Sequence, residues 1–469
     1  MKQKLKSLEK IKAAVVGGSG YTGLELLKIL AIHRGVDIVF TTSKTYKDIA
    51  VEDAFPSFNE IYVKGLPGLY IGKGLTYNKC GKEINNENNI KLNKENDNDN
   101  NDDNNEDTDI GKNHGKLVFK VIDEVSENVI KSLDVIFLCL PPLESMEFVN
   151  KHLGSFDGVV IDVGSDFRLK NPRSFKKWYG AEHILKDLLA DFVYGLPEIN
   201  AEEIKNARLI ANPGCYPTSV ILALAPILKD KELEVFNIDI DTKSGVSGAG
   251  RKLKHEYLFC NVNENFFAYS AVMHRHIGEI EQELENISGR KIDVCFTPHL
   301  LPVNRGIFTS IYCRVDLGPG SAGLGLSEGS KTDKSDKACI EDKTGSSEGK
   351  VNTEKSMEEK LSGGKNSEEK TSEEKAAKIR KKVSSTFSSF YSDSCFVRFI
   401  GEKMPQLKDV VGTNMCLIGS VYDERTKVLK LFSTIDNLLK GAAGQAVQNM
   451  NLIFNFDERE GLQSYGLFS

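Results

Sequence analysis

A short apolar strand, Lys12–Val16, runs into Gly17-Gly18-Ser19-Gly20-Tyr21-Thr22-Gly23, and a helix over Thr22–Ile32 follows at once. Nothing else in the chain restricts its fold so strongly. Glycines at 17, 20 and 23 suit a tight turn, a close backbone approach to a pyrophosphate, and close packing of helix on strand. The helix start then offers free N–H groups and a partial positive charge to an anion. Gly17, Ser19, Gly20, Tyr21, Thr22 and Gly23 are therefore expected around a dinucleotide, a bland structural turn being the alternative. Leu24, Leu27, Ile29 and Leu30 mark the inner side of the helix. A second strand, Val36–Phe40, ends in Thr41-Thr42-Ser43-Lys44. An NAD site usually carries Asp or Glu there to hold the ribose 2′-OH. Hydroxyls and a cation suit a 2′-phosphate instead, so Ser43 and Lys44 point to NADP(H).

Strands at Leu117–Val121, Asp134–Leu140 and Gly158–Val163, with a helix at Leu143–Leu153, continue the alternation. Strands alternating with helices predict a parallel sheet covered on both faces, a Rossmann-type α/β domain. After about Thr218 the texture changes. Strand-like runs at Val235–Thr242, Phe266–Met273, Ile292–Phe296 and Ile307–Val315 follow one another with few helices between. They predict an α+β second domain on a mostly antiparallel sheet. A helix at Ala376–Tyr391, a strand at Val428–Thr434 and a helix at Gly441–Phe454 complete the expected elements.

Two segments break the pattern. One, 78–115, is rich in Asn and Asp and carries eight acids and no base between Glu95 and Asp109. The other, 318–374, is built mainly of Ser, Gly, Lys and Glu. Neither buries enough apolar surface to offset the entropy of ordering, so both are expected to be disordered insertions in surface loops. The acidic run lacks the fixed glycine and closing glutamate of a calcium loop.

The remaining composition excludes several classes. A net charge of −6 on 469 residues leaves no basic footprint for nucleic acid. Nine scattered cysteines without a CxxC pair fit reduced thiols in an intracellular, cytoplasmic enzyme. No Cys/His cluster has metal spacing, so no metal is expected. No run of about 18 apolar residues suggests a membrane span. The basic N-terminus lacks the apolar stretch of a secretory signal, while a processed or atypical presequence stays open.

Asn212-Pro213-Gly214-Cys215-Tyr216-Pro217-Thr218 lies between the strand Arg208–Ala211 and the apolar helix Ser219–Leu228. A cysteine at a helix start feels the positive end of the dipole, which favours its thiolate. Adjoining N–H groups suit an oxyanion. Cys139, Cys295, Cys313, Cys395 and Cys416, in apolar or strand-like surroundings, read as small core residues instead. A thiol nucleophile needs a proton partner. His274 and His276, which flank Arg275 before a helix, point to one side of an extended segment and are the candidates.

These pieces, together with DVGSDFRL (162–169), YGLPEIN (194–200), KSGVSGAGR (243–251), HRHIGEIEQEL (274–284), TPHLLPVNRGI (297–307) and DNLLKGAAGQAVQNMN (436–451), resemble the N-acetyl-γ-glutamyl-phosphate reductase family, relatives of aspartate-semialdehyde dehydrogenase. The resemblance covers nearly everything outside the two insertions. It implies that Cys215 displaces phosphate from an acyl phosphate to form a thioester, which NADPH reduces to N-acetylglutamate semialdehyde. It favours His276 as acid/base, with His274 orienting substrate. It also implies phosphate or carboxylate contacts from Ser165, Arg168, Asn212, Arg251 and Arg305, guanidinium groups being suited to both anions. Ser244, Gly245 and Gly248 would let backbone approach the ligands, and Asn437 and Gly441 would lie near the nicotinamide. Pro141 stands where many relatives have a His, in a loop on the adenosine side. The division that follows is 1–217 for the NADP-binding domain, 218–435 for the catalytic and oligomerisation domain, and 436–469 for a C-terminal helix returning to the first.

Partners are then an acyl phosphate and inorganic phosphate, with neither nucleic acid nor membrane, in a homodimer or homotetramer. The same chemistry on N-acetyl-aminoadipyl phosphate or aspartyl phosphate stays open, because one carbon of substrate length is worth only about 1–3 kcal/mol. A dinucleotide-binding regulator without chemistry, and a scaffold organised by the insertions, are the non-enzymatic alternatives. Intact Cys215, His274 and His276 argue against the first of these.

Overall fold

The computed structural model describes residues 10–58, 116–318 and 365–462, so the insertion expected at 78–115 and most of that at 318–374 lie outside the described residues. The first of two seven-stranded sheets contains β1 (Ile11–Val16), β2 (Val36–Thr42), β3 (Phe119–Lys120), β4 (Val135–Leu138), β5 (Val159–Asp162), β6 (Val193–Tyr194) and β7 (Leu209–Ala211). Their order is β3-β2-β1-β4-β5-β7-β6, and all pairings are parallel. Both faces are covered, which is why the central strands read as unbroken apolar runs. Along β1, Ala13 and Val15 enter one core cluster while Ala14 and Val16 enter another. Winding reverses between β1 and β4, and the crevice at the carboxyl ends of such strands is where α/β sheets bind ligands.

The second sheet contains β8 (Leu233–Gly245), β9 (Phe267–Ala268), β10 (Val294–Leu301), β11 (Ile307–Leu317), β12 (Val397–Phe399), β13 (Cys416–Asp423) and β14 (Val428–Ile435), in the order β12-β13-β14-β11-β8-β10-β9. It is mixed. β8 with β10 and β12 with β13 are parallel, and the other pairings are antiparallel, as the sequence predicts for most of the sheet. The helices Cys215–Lys229, His276–Ser288 and Lys365–Phe390 cover one face, their apolar residues joining those of the sheet in a single cluster. Among the described residues no helix covers the other face, where Phe236 and Tyr312 are exposed on the sheet.

Three elements differ from expectation. The strand anticipated over Phe266–Met273 shrinks to two residues, because the chain leaves the sheet at Tyr269 to bring aromatic and histidine rings against Tyr216. The helix anticipated at Ala376 already begins at Lys365, inside the segment expected to be disordered to residue 374. Its Lys, Glu and Ala content is strongly helix-forming, so low hydrophobicity alone was a poor guide. The C-terminal helix opens with a five-residue π-helical turn, Leu439–Ala443, before the α-helix Gly444–Ile453. That α-helix packs Ala446, Val447 and Met450 into the core of the first sheet.

Candidate active site

Strand β7 delivers the chain to Gly214, which caps the helix Cys215–Lys229 with extended backbone, so Cys215 is the first helical residue. Pro217 has no N–H, which leaves the N–H groups of Cys215 and Tyr216 as the first-turn donors beside the thiol. The helix is buried along nearly its whole length. Four residues on from Cys215, Ser219 Oγ bonds Thr309 Oγ1 at 2.9 Å and Ser433 Oγ at 3.0 Å, which ties the helix to β11 and β14. Above the thiol sits the π-turn: a Cβ on Gly441 would lie 2.8 Å from Cys215 Cβ. π-turns of this kind recur at functional sites.

Burial pushes the Cys215 thiol up, and the Arg168 charge and the Tyr216 N–H only partly offset it. The helix start was expected to favour the thiolate. The dipole acts in the expected direction, but loss of hydration outweighs it.

His276 opens the helix His276–Ser288 and is 5% exposed. Burial, His274 and Arg275 hold its imidazole well below the usual histidine range, so the ring is neutral at neutral pH. A Cβ on Gly214 would lie 2.7 Å from His276 Nε2, 2.9 Å from Arg168 Nη1 and 3.0 Å from Glu279 Oε2. Only glycine fits at this convergence. His274 sits behind, among the rings of Tyr216, Tyr269, Phe296 and His276, and burial lowers it to about 4. Its Nδ1 accepts the His276 backbone N–H at 3.2 Å.

Glu279 is the residue that sequence reasoning passed over. One turn beyond His276 and fully buried, it accepts the Gly214 N–H at 2.7 Å and the Tyr194 hydroxyl at 2.8 Å through Oε1. Its Oε2 meets Arg168 Nη1 at 3.4 Å. Arg168 in turn donates to the carbonyls of Asn212 at 2.8 Å and Val163 at 3.2 Å. The signal was present as Glu at i+3 from His276, the same face of one helix.

A cleft of about 860 Å³ joins the two ends of the site. Gly17, Ser19, Gly20, Tyr21, Thr22, Gly23, Ser43, Lys44 and Pro141 line one part of it. Arg168, Cys215, Arg251, His276, Gly248, Asn437 and Gly441 line the rest. The glycine loop fits a dinucleotide. Gly17 has φ +87°, a Cβ on it would meet the Cys139 carbonyl at 2.4 Å, and one on Gly23 would meet the Gly17 carbonyl at 2.5 Å. The helix Tyr21–Ile32 that follows has no side-chain cap, so its first N–H groups are free for an anion.

Asn212, Ser165, Ser244, Gly245, Arg305 and His274 lie outside the lining. Asn212 is fully buried, donates to the Ala442 carbonyl at 3.1 Å and accepts from Asn449 at 3.1 Å. Ser165, Ser244 and Gly245 are buried beside the cleft, where a Cβ on Gly245 would strike the Asn304–Arg305 backbone. Arg305 pairs with Glu25 at 3.0 Å and Asp436 at 3.4 Å, which joins the two sheets' layers. Arg251, expected at the substrate, lines the cleft, donates to the Ser19 carbonyl and lies over the rings of Tyr21 and Phe55. Asn437 accepts the Gly306 N–H at 2.7 Å and donates to Ser247 Oγ at 2.9 Å.

Comparison with known proteins agrees with this fold. The model for the NAD-binding domain of semialdehyde dehydrogenases matches residues 100–207, and that for the semialdehyde dehydrogenase dimerisation domain matches 215–324 and 370–437. The fold and the site thus define a semialdehyde dehydrogenase-type oxidoreductase that works with a nicotinamide dinucleotide. The N-acetyl-gamma-glutamyl-phosphate reductase of Pelotomaculum thermopropionicum is 36% identical over 98% of this chain and 99% of its own. That of Caldicellulosiruptor bescii is 35% identical over 97% and 99%. The chain belongs to the N-acetyl-γ-glutamyl-phosphate reductase family, as its motifs suggested. Among solved structures, aspartate semialdehyde dehydrogenase II from Vibrio cholerae, complexed with ASA, superposes with a TM-score of 0.54 at 15% identity over 95% of this chain and 99% of that one. The enzyme from Francisella tularensis gives 0.52 at 14% identity, covering 95% and 100%. Likeness at this identity speaks for the fold alone.

Proposed function

We propose that the chain reduces N-acetyl-γ-glutamyl phosphate to N-acetylglutamate 5-semialdehyde and phosphate, with NADPH as reductant, as a cytoplasmic step of arginine biosynthesis. The observation that carries this reading is the shared cleft, in which Cys215 at a helix start and the neutral His276 face the same space as the glycine loop. The thiol is protonated in the free enzyme, so His276 accepts its proton as Sγ attacks the acyl carbon. The N–H groups of Cys215 and Tyr216 stabilise the tetrahedral oxyanion. Phosphate leaves as hydrogen phosphate, taking a proton from water, and the acyl group stays on Cys215 as a thioester. NADPH, when bound along Gly17–Gly23, Ser43 and Lys44, supplies the hydride that reduces this thioester. The thiohemiacetal then collapses to the aldehyde, and the departing thiolate recovers its proton from His276. Arg168 and Glu279 hold the Asn212–Gly214 turn, while His274 holds the His276 backbone.

Mass spectrometry of the protein with acyl phosphate and no NADPH tests this directly. An adduct of the N-acetylglutamyl mass on Cys215 is expected, and an unmodified Cys215 overturns the thioester. Preferential acylation by N-acetyl-aminoadipyl phosphate in the same tube would move the assignment to the longer substrate.

The open face of the second sheet supports a homodimer or a homotetramer. It carries Phe236, Tyr312 and the ring pair Phe308–Phe432 at 6.2 Å on a sheet that no described helix covers there. Sedimentation equilibrium is expected to give a multiple of the chain mass, and a single-chain mass at micromolar concentration would refute it.

A further inference from the structure

What separates NADPH from NADH is one phosphate on the ribose, and a site that prefers NADPH must meet its charge. β3 forms the edge of the first sheet, with Lys120 directly opposite Thr42 of β2. The Ser43 N–H donates to the Lys120 carbonyl at 3.0 Å. Lys120 therefore stands beside the acid-free end of β2, where the ribose hydroxyls of a dinucleotide lie.

Three lysines line this end of the cleft: Lys44, Lys120 and Lys151. Two have carboxylate partners, Lys44 with Glu144 at 3.2 Å and Lys151 with Asp123 at 2.6 Å. Lys120 makes no ion pair among the described residues, while its neighbour Phe119 is fully buried and anchors the strand. The Ser43 hydroxyl donates to Ser19 Oγ at 2.8 Å and accepts the N–H groups of Thr45 and Tyr46, so its one proton is already engaged. Arg251 is committed to the Ser19 carbonyl and two rings.

We infer that Lys120 selects NADPH over NADH by pairing with the 2′-phosphate. This rests on the NADPH reading of the previous subsection. Lys120 is an exposed position on a two-residue edge strand, and its backbone hydrogen bond survives any side-chain change, so variants fold.

The test is calorimetric titration of the full chain with NADP⁺ and with NAD⁺, without substrate. For Lys120→Gln the Kd for NADP⁺ is expected to rise about tenfold, the scale of one lost hydrogen bond to a charged group. The Kd for NAD⁺ should not change. Lys120→Arg should restore selectivity, and Lys120→Glu should bind NAD⁺ at least as well as NADP⁺. If the wild type prefers NADP⁺ and Lys120→Gln keeps that preference, the inference falls while the cofactor reading stands. Loss of the preference in Arg251→Ala alone would transfer the role to Arg251. A wild type without preference overturns both the reading and the inference.

Discussion

Cys215→Ser is expected to lower turnover by at least about 10⁴-fold, the scale on which removing a covalent nucleophile is felt, while NADP⁺ binds as in the wild type. Serine is close to isosteric, so the contact under Gly441 and the helix start are kept. Its hydroxyl titrates far above the thiol, and a neutral imidazole does not activate it enough to compensate. Single-turnover NADPH oxidation and calorimetry read the two halves of this expectation, and substantial turnover in the variant would end the thioester mechanism. The pH sign is equally checkable. Burial raises the thiol, so in the substrate-free enzyme the thiolate fraction grows only as pH climbs past the ordinary cysteine range. Alkylation of Cys215 by iodoacetamide should therefore be slow at neutral pH and accelerate on the alkaline side. Fast alkylation below pH 7 would mean a preformed thiolate–imidazolium pair instead.

Glu279→Ala is expected to damage stability and chemistry together. It strips the Gly214 N–H and the Tyr194 hydroxyl of their acceptor and leaves the Arg168 charge buried without its carboxylate. Breaking a buried pair from one side typically costs about 3–5 kcal/mol, visible as a lower midpoint in denaturant. Glu279→Gln separates the two effects. It keeps an oxygen for Gly214 or Tyr194 but not the charge, so it should fold. Its kcat should fall markedly with little change in the KM for NADPH, because Glu279 touches the cysteine turn and not the glycine loop. A Gln variant with normal kcat would reduce Glu279 to a packing residue.

The parts of this molecule that were legible in sequence are those in which local chemistry and local geometry coincide. Gly17–Gly23 lies between an apolar strand and a helix, and Cys215 lies in a Pro/Gly turn before another. Each needs only its neighbours to be understood. The expectation also held for the parallel order of the first sheet, whose strands are apolar on both faces. Glu279 was hidden because its role depends on Gly214, Tyr194 and Arg168, which come from three other places in the chain. The thiol's titration went the wrong way for a related reason. A dipole can be read from a helix start, but burial depends on what is packed above it. Strands β12 and β13 were overlooked because each follows a stretch without clear alternation, and β9 was overestimated because aromatic residues at 266–269 serve the histidines more than the sheet. Arg251 and Arg305 show that residue type alone does not say whether a guanidinium faces ligand, backbone or carboxylate.

The π-turn has a bearing on how the molecule comes into being. Lys440 is completely enclosed and paired with Glu198 at 2.7 Å, a partner 242 residues earlier in the chain. Gly441 beside it closes over a cysteine translated long before. A nascent polypeptide emerging from the ribosome therefore carries Cys215 throughout the synthesis of residues 216–436 without the glycine above it or Asn437 nearby. Contacts this distant in sequence form late, since closing so long a loop comes before any reward. The order of translation thus acts as a safety catch: the reactive centre is completed only once the chain has been made through Gly441.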